Sequence, residues 1–290
     1  MNILLFIVGA LFGSFLGVVA GRYDPDRFIF TRHTIGGRSH CPHCGKTLRA
    51  FELIPLISFI IQRGRCRGCR ARISLLYPVV EVVSGLLFVL VPASLSSHAI
   101  MFFPHLHGAA LIVASALWIF VFLSLFLIAL IDLRISLIPD ELNVCIALAS
   151  IVLAAYTAFD FGPLTGSFSG SYASLFGFRD GLIMNRAVGA LFGLVFFGVL
   201  ILITRGRGMG MGDLKLSVAL GILFGWPDII FVVTLAFISG SLLGILEMVF
   251  RGKRMRSSLS FGPFLAIGAA LVFFFGRDIL SAYFGLFPLP

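Results

Sequence analysis

GAALIVASALWIFVFLSLFLIALIDLRISLIPD, residues 108–140, carries no charged side chain before Asp132 and then an acid, a base, a proline and a second acid by Asp140. A helix over 108–131 has the length that crosses the hydrocarbon core of a bilayer, which takes about 20 apolar residues. Stretches without Asp, Glu, Lys or Arg also cover 1–21, 82–131, 142–159, 187–204, 229–246 and 257–276. Across its 290 residues the chain is 59% hydrophobic and 12% charged, with a mean hydropathy of +1.07. Soluble domains are about a quarter charged, so a soluble enzyme is excluded. The expected fold is an all-α polytopic membrane protein of about eight transmembrane helices, at 2–20, 77–92, 108–131, 141–159, 186–204, 213–227, 228–250 and 261–276.

The first stretch also suits a signal peptide, but it has no basic n-region. Its glycines at 9, 13 and 17 fit helix packing, so it is read as a span. Three domains follow: the first helix over 1–20, a cytoplasmic four-cysteine loop over 21–76, and a membrane core of about seven helices over 77–290. The net charge of +9 sits almost entirely between Arg22 and Arg72. Nucleic-acid binding is one reading of such a block, but in so apolar a chain topology is the better one, and no nucleic-acid partner is expected. With the first helix running inward, all basic residues except Arg179, Arg186 and Arg277 fall on one side. That side is cytoplasmic by the positive-inside rule, so both termini lie outside.

Cys41-Pro-His-Cys44 and Cys66-Arg-Gly-Cys69 are two C-x-x-C knuckles 21 residues apart. Four thiolates at this spacing form a closed, tetrahedral, structural zinc site. Paired disulfides are the competing reading, and reducing cytoplasm disfavours them. His40 and His43 find no open position beside four cysteines, and Cys145 reads as a small packing residue within a span.

Three carboxylates stand at ends of membrane helices: Asp132, Asp140 and Asp213. Pro139 bars its predecessor from helical geometry, so the chain turns between Asp132 and Asp140. Asp140, followed by Glu141, suits an ordinary N-cap. Asp213 follows Gly208-Met209-Gly210-Met211-Gly212 and opens a helix of only fourteen residues before Pro227 and Asp228. That helix is too short to span alone, which puts an ionisable group below the headgroups, where it is costly and a functional candidate. Lys215, about 200° further around the helix, points away from Asp213 and reads as an interfacial anchor. Two aspartates in one site divide acid and base roles between them, one deprotonating water while the other donates to a carbonyl. The chain has no serine elbow, no H-E-x-x-H and no phosphate loop to offer another catalytic set.

Gly13-Ser14-Phe15-Leu16, the two knuckles, Ile54-Pro55, Tyr77-Pro78-Val79-Val80-Glu81, Asp132, Ile138-Pro139-Asp140 and Gly210-Met211-Gly212-Asp213-Leu214-Lys215 occur in this order. In that order they resemble the type IV prepilin leader peptidases, membrane aspartyl proteases of the GxGD class, over nearly the whole chain. The resemblance implies that Asp132 and Asp213 are the catalytic pair, that Asp140 is not, and that Cys41, Cys44, Cys66 and Cys69 bind zinc. It implies a bacterial cytoplasmic (inner) membrane enzyme with its site on the cytoplasmic face. The implied substrates are prepilins or pseudopilins, cut after the glycine of a short basic leader. It further implies S-adenosylmethionine as methyl donor for the new N-terminal amine. Gly17 and Leu53 stand where the family often has Asn, and Glu81 matches a family glutamate of open role. The rival reading is a polytopic transporter that uses intramembrane aspartates for proton or cation coupling.

Overall fold

The computed structural model describes residues 2–102, 108–161, 181–251 and 260–286. Most of the outer loop expected at 160–185, and most of the basic loop at 251–260, lie outside them. Among the described residues there are ten α-helices and no strand beyond two isolated bridges. Eight are long: α1 (Asn2–Arg22), α4 (Leu76–Phe102), α5 (Ala109–Ile135), α6 (Asp140–Phe161), α7 (Leu182–Thr204), α8 (Met211–Phe224), α9 (Asp228–Arg251) and α10 (Gly262–Gly285). The short helices α2 (Arg32–Ile35) and α3 (Ile57–Ile61) lie in the cysteine loop. The protein is a multi-pass membrane protein, and the long helices match the expected spans within a few residues at most ends. Six of them are long and apolar enough to cross a bilayer: all but α6 and α8.

The chain divides into two compact units, Met1–Ser96 and Ser97–Pro290. In the first, α1 and α4 meet through small residues, as the glycine spacing in α1 predicts. A Cβ on Gly9 would lie 2.6 Å from the Ser84 carbonyl oxygen, and one on Gly13 2.7 Å from that of Val80. Without a hydrophobic drive between helices inside lipid, this backbone approach supplies the van der Waals contact that joins them. The Phe6 ring lies over Gly85 in turn, 2.7 Å from where a Cβ would sit.

In the second unit α8 is the central element. Its fourteen residues stop at Phe224, short of the expected end at 227, because Gly225 takes a left-handed φ of +74°. Eight of the fourteen are buried, with α6 and α7 packed closely against it. A Cβ on Gly189 of α7 would lie 2.5 Å from the Gly221 carbonyl oxygen, and one on Gly193 2.7 Å from that of Ser217. At the end of α8 the Gly225 N–H donates to the Gly221 carbonyl and the Arg186 guanidinium to that of Leu223, while the Asn185 amide donates to Trp226, two residues past the helix. A helix this short persists at membrane depth because other protein, not lipid, surrounds its ends. Trp118, Phe122 and Phe273 pack α5 against α10, with the Trp118 and Phe273 centroids 4.5 Å apart.

Candidate active site

Asp132 lies in the last turn of α5, and its side chain is buried, with 5% of the residue exposed. Ser136 closes that helix in the left-handed region at φ +54°, and its N–H donates to the Asp132 carbonyl at 2.8 Å. The Ser260 hydroxyl donates to the same carbonyl at 2.9 Å. Two residues on, the Gly262 N–H donates to Asp132 Oδ2 at 3.0 Å. The segment entering α10 therefore grips the end of α5 from 128 residues away, through one main-chain and one side-chain oxygen.

Asp213 is the third residue of α8, and 8% of it is exposed. Its Oδ2 accepts the N–H of Gly210 at 3.1 Å, which satisfies one of the orphan donors at the helix start. Asp132 and Asp213 lie within electrostatic reach of each other. Ile138 ties the two halves together. A Cβ on Gly212 would meet its side chain at 2.9 Å, and one on Gly262 would meet the same side chain at 3.2 Å. The structure thus brings together the two aspartates that the sequence singles out. Each carboxylate has Oδ2 engaged by a glycine N–H, and Oδ1 of each has no hydrogen-bond partner among the described residues.

Asp140 is the first residue of α6, one position past the N-cap that its sequence setting suggests, and its carboxylate meets Lys215 Nζ at 2.6 Å. Lys215 is therefore not a free interfacial anchor: its ammonium is paired with Asp140. Both partners are substantially exposed, so the pair contributes roughly 1 kcal/mol at most, and its effect is to fix the start of α6 beside the start of α8. Sequence reasoning missed Ser260, Gly262 and the bridging Ile138. The available signal was Gly262-Pro263 at a helix start, which reads locally as ordinary N-terminal punctuation.

In the first unit the two knuckles fold alike. Cys41 N–H donates to Lys46 and Gly45 N–H back to Cys41; Cys66 N–H donates to Ala71 and Arg70 N–H back to Cys66, all at 2.9 Å. The fourth residue after each first cysteine, Gly45 or Arg70, has positive φ. All four sulfurs lie within 4.8 Å of one another, with Cys41 and Cys69 3.9 Å apart. Tetrahedral ligands about 2.3 Å from zinc stand about 3.8 Å apart, so the thiols fit that ion. The N–H groups of Cys69 and Gly68 draw the Cys66 thiol down to about 7. At Cys69 the Ala71 N–H acts the same way, but desolvation and the hydrogen bonds to Cys44, Cys66 and Cys41 outweigh it and push the thiol up to about 11. Four thiols this close compete for protons, and a divalent cation removes the competition by taking all four as thiolates.

Glu52 supports the first knuckle. Its carboxylate accepts the Arg49 N–H at 2.8 Å and faces Lys46 Nζ at 3.5 Å, with the side chain 2% exposed. The Arg49 N–H and, to a lesser degree, the Lys46 charge hold its carboxyl below the ordinary range. A carboxyl lowered by folding stabilises above its unfolded value, and that contribution is lost as pH falls through the folded one. Unfolding of purified protein, followed from neutral pH into acid, is expected to show a smaller loss of stability in Glu52→Gln than in wild type.

Residues 7–95 match the bacterial peptidase A24 N-terminal domain, and residues 119–245 match the type IV leader peptidase family. The chain is 35% identical over 241 residues to a prepilin leader peptidase/N-methyltransferase of Burkholderia pseudomallei, covering 82% of this chain and 67% of that one. It is 30% identical over 300 residues to the like-named protein of Aeromonas hydrophila, covering 97% and 92%. With that of Bacillus subtilis it shares 31% identity over 281 residues, covering 97% and 96%. No solved structure matches the chain.

Proposed function

Because this chain belongs to the type IV leader peptidase family, we propose that it removes the leader of a prepilin or pseudopilin with Asp132 and Asp213 and methylates the amine thus exposed. The enzyme is a protease with methyltransferase activity, and no relative supports the transporter reading. The observation that carries the aspartyl mechanism is the convergence of two buried aspartates, each fixed by a glycine N–H and each with Oδ1 free of protein hydrogen bonds among the described residues.

In this reading the pair holds one proton. The ionised carboxylate takes a proton from water as the water oxygen bonds to the scissile carbonyl carbon. The other carboxyl gives its proton to the carbonyl oxygen. As the diol collapses the C–N bond breaks, the leaving nitrogen takes the proton of one carboxyl, and a diol hydroxyl gives its proton to the other carboxylate, so that the pair again holds one proton. The products are a leader ending in a carboxylate and a pilin beginning with a free amine. Gly262 and Gly210 keep both Oδ2 atoms in place during this exchange, so little reorganisation is needed. Basic residues concentrated in the inward loops put this chemistry at the cytoplasmic face of the inner membrane, with both termini outside. The domain scheme of 1–20, 21–76 and 77–290 assigns proteolysis to the last of these.

Zinc on Cys41, Cys44, Cys66 and Cys69 is a structural element in this proposal: with four protein ligands no position remains for substrate. Cys41→Ser is expected to lower bound zinc from one per chain to well below half and to destabilise the loop, read by metal analysis and thermal unfolding. Wild-type protein purified without stoichiometric zinc refutes the assignment. S-adenosylmethionine, when bound, supplies an electrophilic methyl group on a sulfonium. The function is tested by incubating purified protein with a prepilin and labelled S-adenosylmethionine, then weighing the product's N-terminal peptide. A product shortened by its leader and heavier by one methyl group is expected, and an uncut substrate refutes the reading.

A further inference from the structure

Helix α3 is built the wrong way round for a loop in water. Ile57, Ile60 and Ile61 stand at i, i+3 and i+4, which puts them on one stripe of the helix, and each is more than half exposed. The polar Ser58 and the C-cap Gln62 turn inward instead and line the cavity between α1, α4 and the knuckles. One hydrogen bond sets the depth of this helix. The N–H of Leu56, the residue before α3, donates to Glu81 Oε2 at 2.8 Å. Glu81 lies in the second turn of α4, inside the apolar span Leu76–Ser97, and at about 1.5 Å of rise per residue it stands roughly 7–8 Å past the start of that span. An amide tied at that level holds the isoleucine stripe at the apolar boundary of the bilayer.

The charges that follow α3 have no counter-ion. Arg63, Arg65, Arg70 and Arg72 are exposed, and among the described residues no carboxylate pairs with any of them. Arg65 and Arg72 face each other across an antiparallel bridge at the base of the second knuckle. Side chains so paired share a face, with Cβ atoms about 4.5–5.5 Å apart, and like charges there destabilise the pairing. The knuckle fold does not demand this arrangement, because the first knuckle has His40 and Thr47 at the equivalent bridge. An anion between two guanidiniums removes the repulsion, and phosphate matches their N–H forks.

We propose that α3 and the second knuckle seat on the lipid headgroup layer, with Ile57, Ile60 and Ile61 in the acyl boundary and Arg65 and Arg72 clamping the phosphate of an anionic phospholipid. A lipid is favoured over a soluble anion because the arginines directly follow an apolar helix face held at that boundary, the pattern by which basic segments bind anionic leaflets. The proposal stands on the membrane class of the chain, so the proteolytic and methyl-transfer readings can fail without it.

The test is hydrogen exchange of the full-length, zinc-loaded protein in nanodiscs of phosphatidylcholine alone, or of equal parts phosphatidylcholine and phosphatidylglycerol. Exchange across 57–73 is expected to slow by roughly tenfold in the anionic discs, the size expected of two arginines at a charged surface. The first knuckle, 41–47, is expected to exchange alike in both. The Arg65→Gln/Arg72→Gln double variant is expected to lose most of the difference at 57–73. No difference in wild type, an equal slowing in the first knuckle, or an undiminished difference in the double variant overturns the proposal. So does the same slowing when inorganic phosphate or single-stranded RNA is added to the neutral discs, since the anion is then a soluble one. Should the double variant lose zinc, Ile60→Gln/Ile61→Gln decides: exchange across 57–73 several-fold faster than wild type in the anionic discs supports the seat, and unchanged exchange overturns it.

Discussion

Asp132→Asn and Asp213→Asn are each expected to lower leader removal by at least about 10³-fold, judged against the size of a single acid–base contribution and the need for both members of the proposed pair. Asparagine keeps the shape of aspartate, and its amide oxygen can still accept the Gly262 or Gly210 N–H that holds Oδ2. The fold is therefore expected to survive while proton exchange is lost. Co-expression of each variant with a prepilin, followed by separation of precursor from mature pilin, reads the effect directly. The double variant is expected to be no worse than either single one, because removing one member already disables the shared proton. Cleavage within about tenfold of wild type by either single variant contradicts the pair as catalyst.

Gly262→Ala is the second large effect, and it tests the scaffold rather than the acids. An added Cβ would stand 2.7 Å from Asp132 Oδ2 and 3.2 Å from Ile138 Cδ1. Neither neighbour gives way easily: the oxygen is held by the Gly262 N–H itself, and Ile138 is also pressed by Gly212. Displacement of a reacting group by a fraction of an ångström up to one ångström costs about 10²-fold in rate, and a loss of that order is expected with expression intact. Gly210→Ala supplies the contrast. It keeps the N–H that Asp213 accepts, its φ of −88° suits alanine, and the new Cβ would meet Oδ2 at an ordinary 3.6 Å. Its loss is expected to be far smaller. Equal losses in the two variants, measured as kcat/KM on a prepilin peptide, contradict the clamp at Gly262.

Much of this protein is legible in its residues alone. Hydropathy finds the long helices, because a membrane span is decided by the composition of about 20 consecutive residues. Glycine spacing in α1 anticipates its contact with α4, and the paired C-x-x-C turns anticipate four sulfurs in one place. The aspartates are marked by their local setting: Asp132 at the end of an apolar helix, Asp213 at the start of a short one. Lys215 shows the limit of such reasoning. Helical geometry predicts that it turns away from Asp213, but nothing nearby in sequence announces Asp140, 75 residues earlier, as its partner.

What the chain determined unaided was whatever depends on neighbours in sequence: the membrane class, the helices, the cysteine turns and the identity of the candidate acids. Tertiary structure alone decided the grip of Ser260 and Gly262 on Asp132, the wedge of Ile138, the burial of a fourteen-residue helix, and the hydrogen bond from the Leu56 N–H to Glu81. Those features join residues tens to more than a hundred positions apart, and such pairings are set by how helices close around one another. Close backbone approach at glycines is what permits that closure, and its partners are chosen by packing, which composition along a single segment does not encode.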